Sequence, residues 1–207
     1  QKIQIAFTGL SLAIFLLFHL FNNLVLFTGA ENFNKMVQFL KSIHLFVRIL
    51  EAGLVLIVLL HVINAIATTI KNKRSNNGKY AIEPDTAPKS SKTMIWSGMV
   101  ILFFFIIHLR YYWYTFQTMT KDADFFAVML KNEFGFLGHT PTAAFYIIAI
   151  LLIASHLKHG FVSVFKTIGI PFKYRDQIIK YLAFVFWAII PSGFIIVILA
   201  IQFGIIQ

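Results

Sequence analysis

A chain of 207 residues that is 58% hydrophobic and only 13% charged is too apolar for a soluble domain, where about a quarter of residues carry charge. The absence of cysteine excludes disulfides and any iron–sulfur cluster held by this chain's own thiolates. The formal net charge of +10 would suit nucleic acid, but the charges fall between apolar runs, and membrane topology explains them better.

A membrane-spanning helix needs about 20 apolar residues. Five segments qualify, at roughly 5–28, 46–70, 93–116, 141–167 and 177–203, and they predict a single all-α transmembrane domain over residues 1–207. The first run is long enough to span, and no small-residue cleavage site follows it, so it reads as a span rather than a cleaved signal. Gly29, Pro84, Pro88, Pro141 and Pro171 punctuate the gaps. The second connection carries Lys71, Lys73, Arg74, Lys79, Lys89 and Lys92 against Glu83 and Asp85. The fourth adds Lys166, Lys173, Arg175 and Lys180 against Asp176. Excess Lys and Arg mark the cytoplasmic side, so the expected N-terminus is inside and the C-terminus outside. Tyr111, Tyr112, Trp113 and Tyr114 close the third span and read as an interfacial aromatic belt.

Each of the first four spans carries one histidine near its middle: His19, His61, His108 and His156. A polar ring in hydrocarbon needs a partner. A lone imidazole is satisfied by a neighbouring helix, but four spans in succession call for a common cause. Counted from the cytoplasmic ends, His61 and His156 sit shallower than His19 and His108, by about 6 Å at 1.5 Å per residue. That offset defines an inner pair, His61 with His156, and an outer pair, His19 with His108. Two histidines facing across a helix bundle supply the two axial ligands of a haem iron. Zinc would gather its ligands at one depth. Gly9 and Gly98 each stand ten residues before the histidine of their own span, at the other pair's level, where a small residue admits a porphyrin ring. "SHLKHG" offers a second histidine, His159, nearer the cytoplasmic surface than His156; spacing favours His156 as the ligand, with His159 as the alternative.

These residues lie in stretches, "FLLFHLFNNLVLFTGAENFNKMVQFL", "EAGLVLIVLLHVINAIATTIKNKR", "SSKTMIWSGMVILFFFIIHLR" and "ASHLKHGFVSVFKTIG", that resemble the di-haem cytochrome b subunit of succinate:quinone oxidoreductases and quinol:fumarate reductases, the complex II family. The resemblance covers nearly the whole chain. It implies that spans I–IV form a haem-binding four-helix bundle with span V alongside. It implies two b haems, one on His61 and His156 nearer the cytoplasm and one on His19 and His108 beyond it, with His156 rather than His159 as the ligand. It also implies a flavoprotein and an iron–sulfur subunit as cytoplasmic partners, a bacterial cytoplasmic membrane, a possible dimer of heterotrimers, and menaquinone as the membrane quinone. The expected activity is electron transfer between the iron–sulfur subunit and that quinone, in either physiological direction. The competing readings are a cytochrome b anchor of a hydrogenase or formate dehydrogenase, and a haem-free transporter. A transporter would show broken helices or buried acids, and no Asp or Glu lies in the middle of any span.

Further candidates surround the histidines. Ser91, Lys92 and Lys166, and Arg110 beyond His108, suit haem propionates, with interfacial snorkelling as the plain alternative. His159 suits a propionate or a quinone. Glu51, ten residues before His61, suits the protonation that quinone reduction needs, or else it is a helix N-terminal acid. His44 stands in the nearby outer loop, and Asn22 and Asn23, which follow His19, suit orienting an imidazole or meeting the quinone, with packing hydrogen bonds as the plain alternative.

Overall fold

The computed structural model describes residues 1–75, 89–120, 122–169 and 175–207, and every regular element among them is a helix. Helix α1 (Lys2–Leu24) ends in a 3₁₀ turn, Val25–Thr28, and is followed by α2 (Ala30–Ser42) and α3 (His44–Ser75). Helix α4 (Lys89–His108) continues through a π-helical turn, Leu109–Trp113, into α5 (Tyr114–Thr118). Then come α6 (Phe125–Leu130), α7 (Thr140–Ile168) and α8 (Arg175–Phe184). A second π-helical turn, Val185–Ile189, joins α8 to α9 (Ile190–Gln202). Five stretches are long and apolar enough to cross a membrane: Lys2–Thr28, His44–Asn72, Met94–Thr118, Thr140–Phe165 and Gln177–Gln202. They are called spans I–V below, and the apolar runs read from sequence match them to within a few residues.

Local chemistry explains the interruptions. Gly29 adopts φ +92°, a conformation glycine takes without steric penalty, and this ends span I and releases α2. Pro191 opens α9. A proline cannot donate to the preceding turn and crowds its carbonyl, and the wider π turn stands directly before it.

Span I packs against spans II, IV and V, span IV against I, III and V, and span II meets span III only briefly. Spans I to IV therefore form a ring in chain order, with I opposite III and II opposite IV. Span V lies outside the ring against I and IV. Gly193 makes that approach close: a Cβ there would meet Leu20 at 2.8 Å.

The two ends differ. The end that holds the second and fourth connections is called the basic end. At the far end, α2 and α6 fold over the ring, and Phe33, Val37, Phe125 and Phe126 join Tyr112 and Tyr146 in one buried cluster. Asp124 caps α6 by accepting from the Ala127 N–H at 3.1 Å, and Asn34 of α2 donates to the same carboxylate at 2.9 Å. Toward the basic end, spans II and III have no buried residue among those described.

Candidate functional site

The four span histidines sort onto the two diagonals. His19 of span I and His108 of span III meet at the upper level, toward the far end, with ring centroids 5.7 Å apart and planes at 83°. His61 of span II lies within electrostatic reach of His156 of span IV. All four keep some accessible surface, although they sit on the inner faces of the ring.

The upper pair is set in aromatic rings. Phe15 stacks on His19 at 5.4 Å and Phe194 of span V lies 5.5 Å from it. Tyr112 stacks on His108 at 5.6 Å, with Phe104 at 5.9 Å. The Tyr146 hydroxyl stands 3.5 Å from His108 Nδ1, at the limit of a hydrogen bond.

The lower pair is set by hydroxyls and glycines. Thr8 Oγ1 is 3.1 Å from His61 Nδ1, and Ser97 Oγ is 3.0 Å from His156 Nδ1. The next residue in each case is the glycine. A Cβ at Gly9 would stand 3.2 Å from His61 Cε1, and one at Gly98 would stand 3.6 Å from His156 Cε1. The glycines thus lie at the level expected from their spacing. The sequence reading passed over Thr8 and Ser97, although a hydroxyl residue directly precedes each glycine and a histidine follows each glycine by ten residues in both spans.

Thr68, seven residues beyond His61 and on its helical face, has a buried hydroxyl with no hydrogen-bond partner among the described residues. It too was missed. A single threonine in a membrane helix carries no signal until its burial is known.

The remaining candidates scatter. Glu51 is engaged by two groups: Arg48 donates to its Oε2 at 2.6 Å and Gln117 donates to its Oε1 at 3.3 Å. Arg48 also donates to Gln117, so the three side chains tie span II to span III at the far end. Arg110 is exposed and its guanidinium lies over the Tyr114 ring at 4.9 Å. Asn23 donates to the His19 carbonyl at 2.8 Å, and Asn22 and His44 are exposed. His159 is exposed on the outer side of span IV, in a cavity of about 410 Å³ shared with Ser155, Lys158, Trp187 and Ser192. Ser91, Lys92 and Lys166 have side chains outside the described residues.

The aromatic belt divides. Trp113 and Tyr114 are exposed, as interface anchors are, but Tyr112 is only 7% exposed. Its hydroxyl accepts the Leu137 N–H at 2.7 Å. Tyr112 is a core residue that roofs the upper histidine pair.

Among the described residues no group of three or more His, Asp or Glu side chains converges on one point. No family model, curated protein or solved structure matches this chain.

Proposed function

We propose that this chain is a di-haem cytochrome b that anchors a succinate dehydrogenase or fumarate reductase complex and carries electrons between an iron–sulfur subunit and a membrane quinone. The observation that carries the reading is the diagonal pairing of four histidines at two levels. Metal–imidazole bonds run about 2 Å, so two rings on opposite sides of one metal have centroids roughly 6 Å apart. The upper pair, at 5.7 Å, is on that scale.

The surroundings suit a porphyrin as well. Gly9 and Gly98 leave room beside the lower rings. The unpartnered Thr68 hydroxyl, about 10 Å from His61 along the helix, offers a donor to a carboxylate on the side of the basic end. Phe15, Phe194 and Phe104 wall the upper level with apolar rings. When bound, each haem supplies a one-electron carrier. The protein supplies axial nitrogens, burial and two levels that divide the bilayer into short steps.

The basic end faces the cytoplasm and receives the iron–sulfur and flavoprotein subunits, since excess Lys and Arg mark that side. At the far end Glu51, Arg48 and Gln117 lie between spans II and III, with Gln117 about 13 Å beyond His108 along the helix. There Glu51 holds and releases the proton that quinone reduction or quinol oxidation requires, and the Arg48 and Gln117 donors hold a quinone carbonyl.

The test is a pyridine haemochrome spectrum of the purified chain or complex, with haem counted per chain, for the parent, His61→Ala and His108→Ala. About two b haems in the parent and one fewer in each variant are expected. A folded parent without haem would overturn the reading and favour a transporter with polar helix contacts. Co-purification of an iron–sulfur and a flavin subunit with dicarboxylate activity separates complex II from the hydrogenase and formate dehydrogenase anchors.

A further inference from the structure

An imidazole binds a metal through a bare ring nitrogen, and the other nitrogen decides which one is bare. At the lower level the hydrogen-bond network decides it. The Thr8 hydroxyl has one proton to give. Its own helix takes that proton, because the Gln4 carbonyl lies 2.7 Å away and the Ile5 carbonyl 3.2 Å. The remaining Thr8 lone pair faces His61 Nδ1 at 3.1 Å. With the hydroxyl proton on the helix, that nitrogen is the donor. Span III repeats the arrangement. Ser97 Oγ lies 3.0 Å from the Met94 carbonyl, which can take its proton, and 3.0 Å from His156 Nδ1, which then faces a lone pair. With both Nδ1 atoms protonated, both Nε2 atoms are bare.

The glycines complete the device. Gly9 lies against Cε1 of His61 and Gly98 against Cε1 of His156. Cε1 sits between the two ring nitrogens. Each hydroxyl–glycine pair therefore borders the Nδ1–Cε1 side of an imidazole, with the hydroxyl on Nδ1 and the glycine on Cε1.

We infer that Thr8 and Ser97 are matched positioning residues that lock His61 and His156 as Nδ1–H tautomers for axial ligation, each reaching across from a helix whose own histidine serves the other level. The inference rests on the di-haem reading and adds to it a cross-brace. Spans I and III carry the same two-level code, a hydroxyl and a glycine at one level and a histidine ten residues on. A change in span I at Thr8 acts on the haem that span I does not ligate. An Nδ1–H that donates to oxygen raises the basicity of the ligand, and this favours the oxidised iron. Removing the acceptor raises the potential of that haem and weakens its retention, by about ten-fold or more on the scale seen for such outer partners.

The experiment is an optical redox titration of the intact membrane complex, with the lower-level component identified as the one lost in His61→Ala. The variants are Thr8→Val, Thr8→Ser, Ser97→Ala and the double variant Thr8→Val with Ser97→Ala. Thr8→Val and Ser97→Ala are expected to move that component upward, or to deplete it alone, with the double variant moved furthest. Thr8→Ser, which restores the lone pair, is expected to match the parent. Movement of the His19/His108 component, no movement of either, or a Thr8→Ser defect equal to that of Thr8→Val would overturn the tautomer lock and leave the di-haem reading intact. A parent with no haem would remove both.

Discussion

The far end of the ring is packed with aromatic side chains, whereas the described residues around the lower histidine pair are mostly small. Above the His19–His108 pair, Tyr112 is buried, its hydroxyl satisfies the Leu137 N–H, and α2 and α6 seal the top with phenylalanines. Around the His61–His156 pair, the neighbours are a threonine, a serine and two glycines. Aromatic packing tolerates no gap, because interiors are as dense as organic crystals. Hydroxyls and glycines do the opposite: they fix a ring while leaving space beside it. The upper level is thus organised by what fills it, and the lower level by what its residues hold open.

The comparison breaks most sharply if the space at the lower level is filled. Gly9→Val puts a branched side chain where even a Cβ would press on His61 at 3.2 Å, whereas Gly98→Ala adds a methyl at an ordinary 3.6 Å from His156. Gly9→Val is expected to remove the lower haem and Gly98→Ala to retain it, measured as haem per chain in the purified protein. Equal retention in both would mean that the glycines serve helix packing alone.

At the upper level the largest single lesion that leaves the ligands in place is Tyr112→Phe. It keeps the ring on His108 but orphans the buried Leu137 N–H. An unmet buried donor costs about 1–3 kcal/mol. A lower unfolding midpoint, with haem content unchanged, is the expected result. Tyr111→Phe serves as the reference, because among the described residues that neighbour makes ring contacts, with Phe134 and Phe136, that the substitution keeps. A haem loss in Tyr112→Phe would show that the roof and the upper site are one unit.

Much of this was legible in the residues. The spans were, because runs of about 20 apolar residues have few other uses, and Gly29 was a sound stop. The two-level sorting of the histidines was legible from distances along rigid helices. Tyr112 was not. In "YYWY" four aromatics look alike, and a π-helical turn over Leu109–Trp113 shifts the helical register just where the inward residue must be picked. Helix α2 gives no span-length signal, because Phe33 and Val37 form only a short apolar stripe in a segment that also carries Glu31 and Lys41. Thr8 and Ser97 were visible only as half of a repeat, since the glycines drew attention and the hydroxyls beside them did not.

The smallest expected effect tests how the far end is fastened. Asp124 caps α6 and joins it to α2 through Asn34, and the Asn34 amide, followed by the Ala127 N–H, holds its carboxyl below the ordinary aspartate value of 3.8. A carboxyl with a lowered value in the folded state stabilises the fold above its unfolded value, and that contribution fades as pH falls through the folded value. Asp124→Ala removes the cap, a loss of ~1 kcal/mol. Asp124→Asn keeps a capping oxygen but has no charge to titrate. Thermal unfolding at pH 6 and again near pH 3 separates the two. The parent should lose more stability on acidification than Asp124→Asn, and Asp124→Ala should be weaker than both at pH 6. If the parent and Asp124→Asn fell together, the cap would hold through geometry alone, and the roof over the upper pair would stand on its buried aromatics without help from charge.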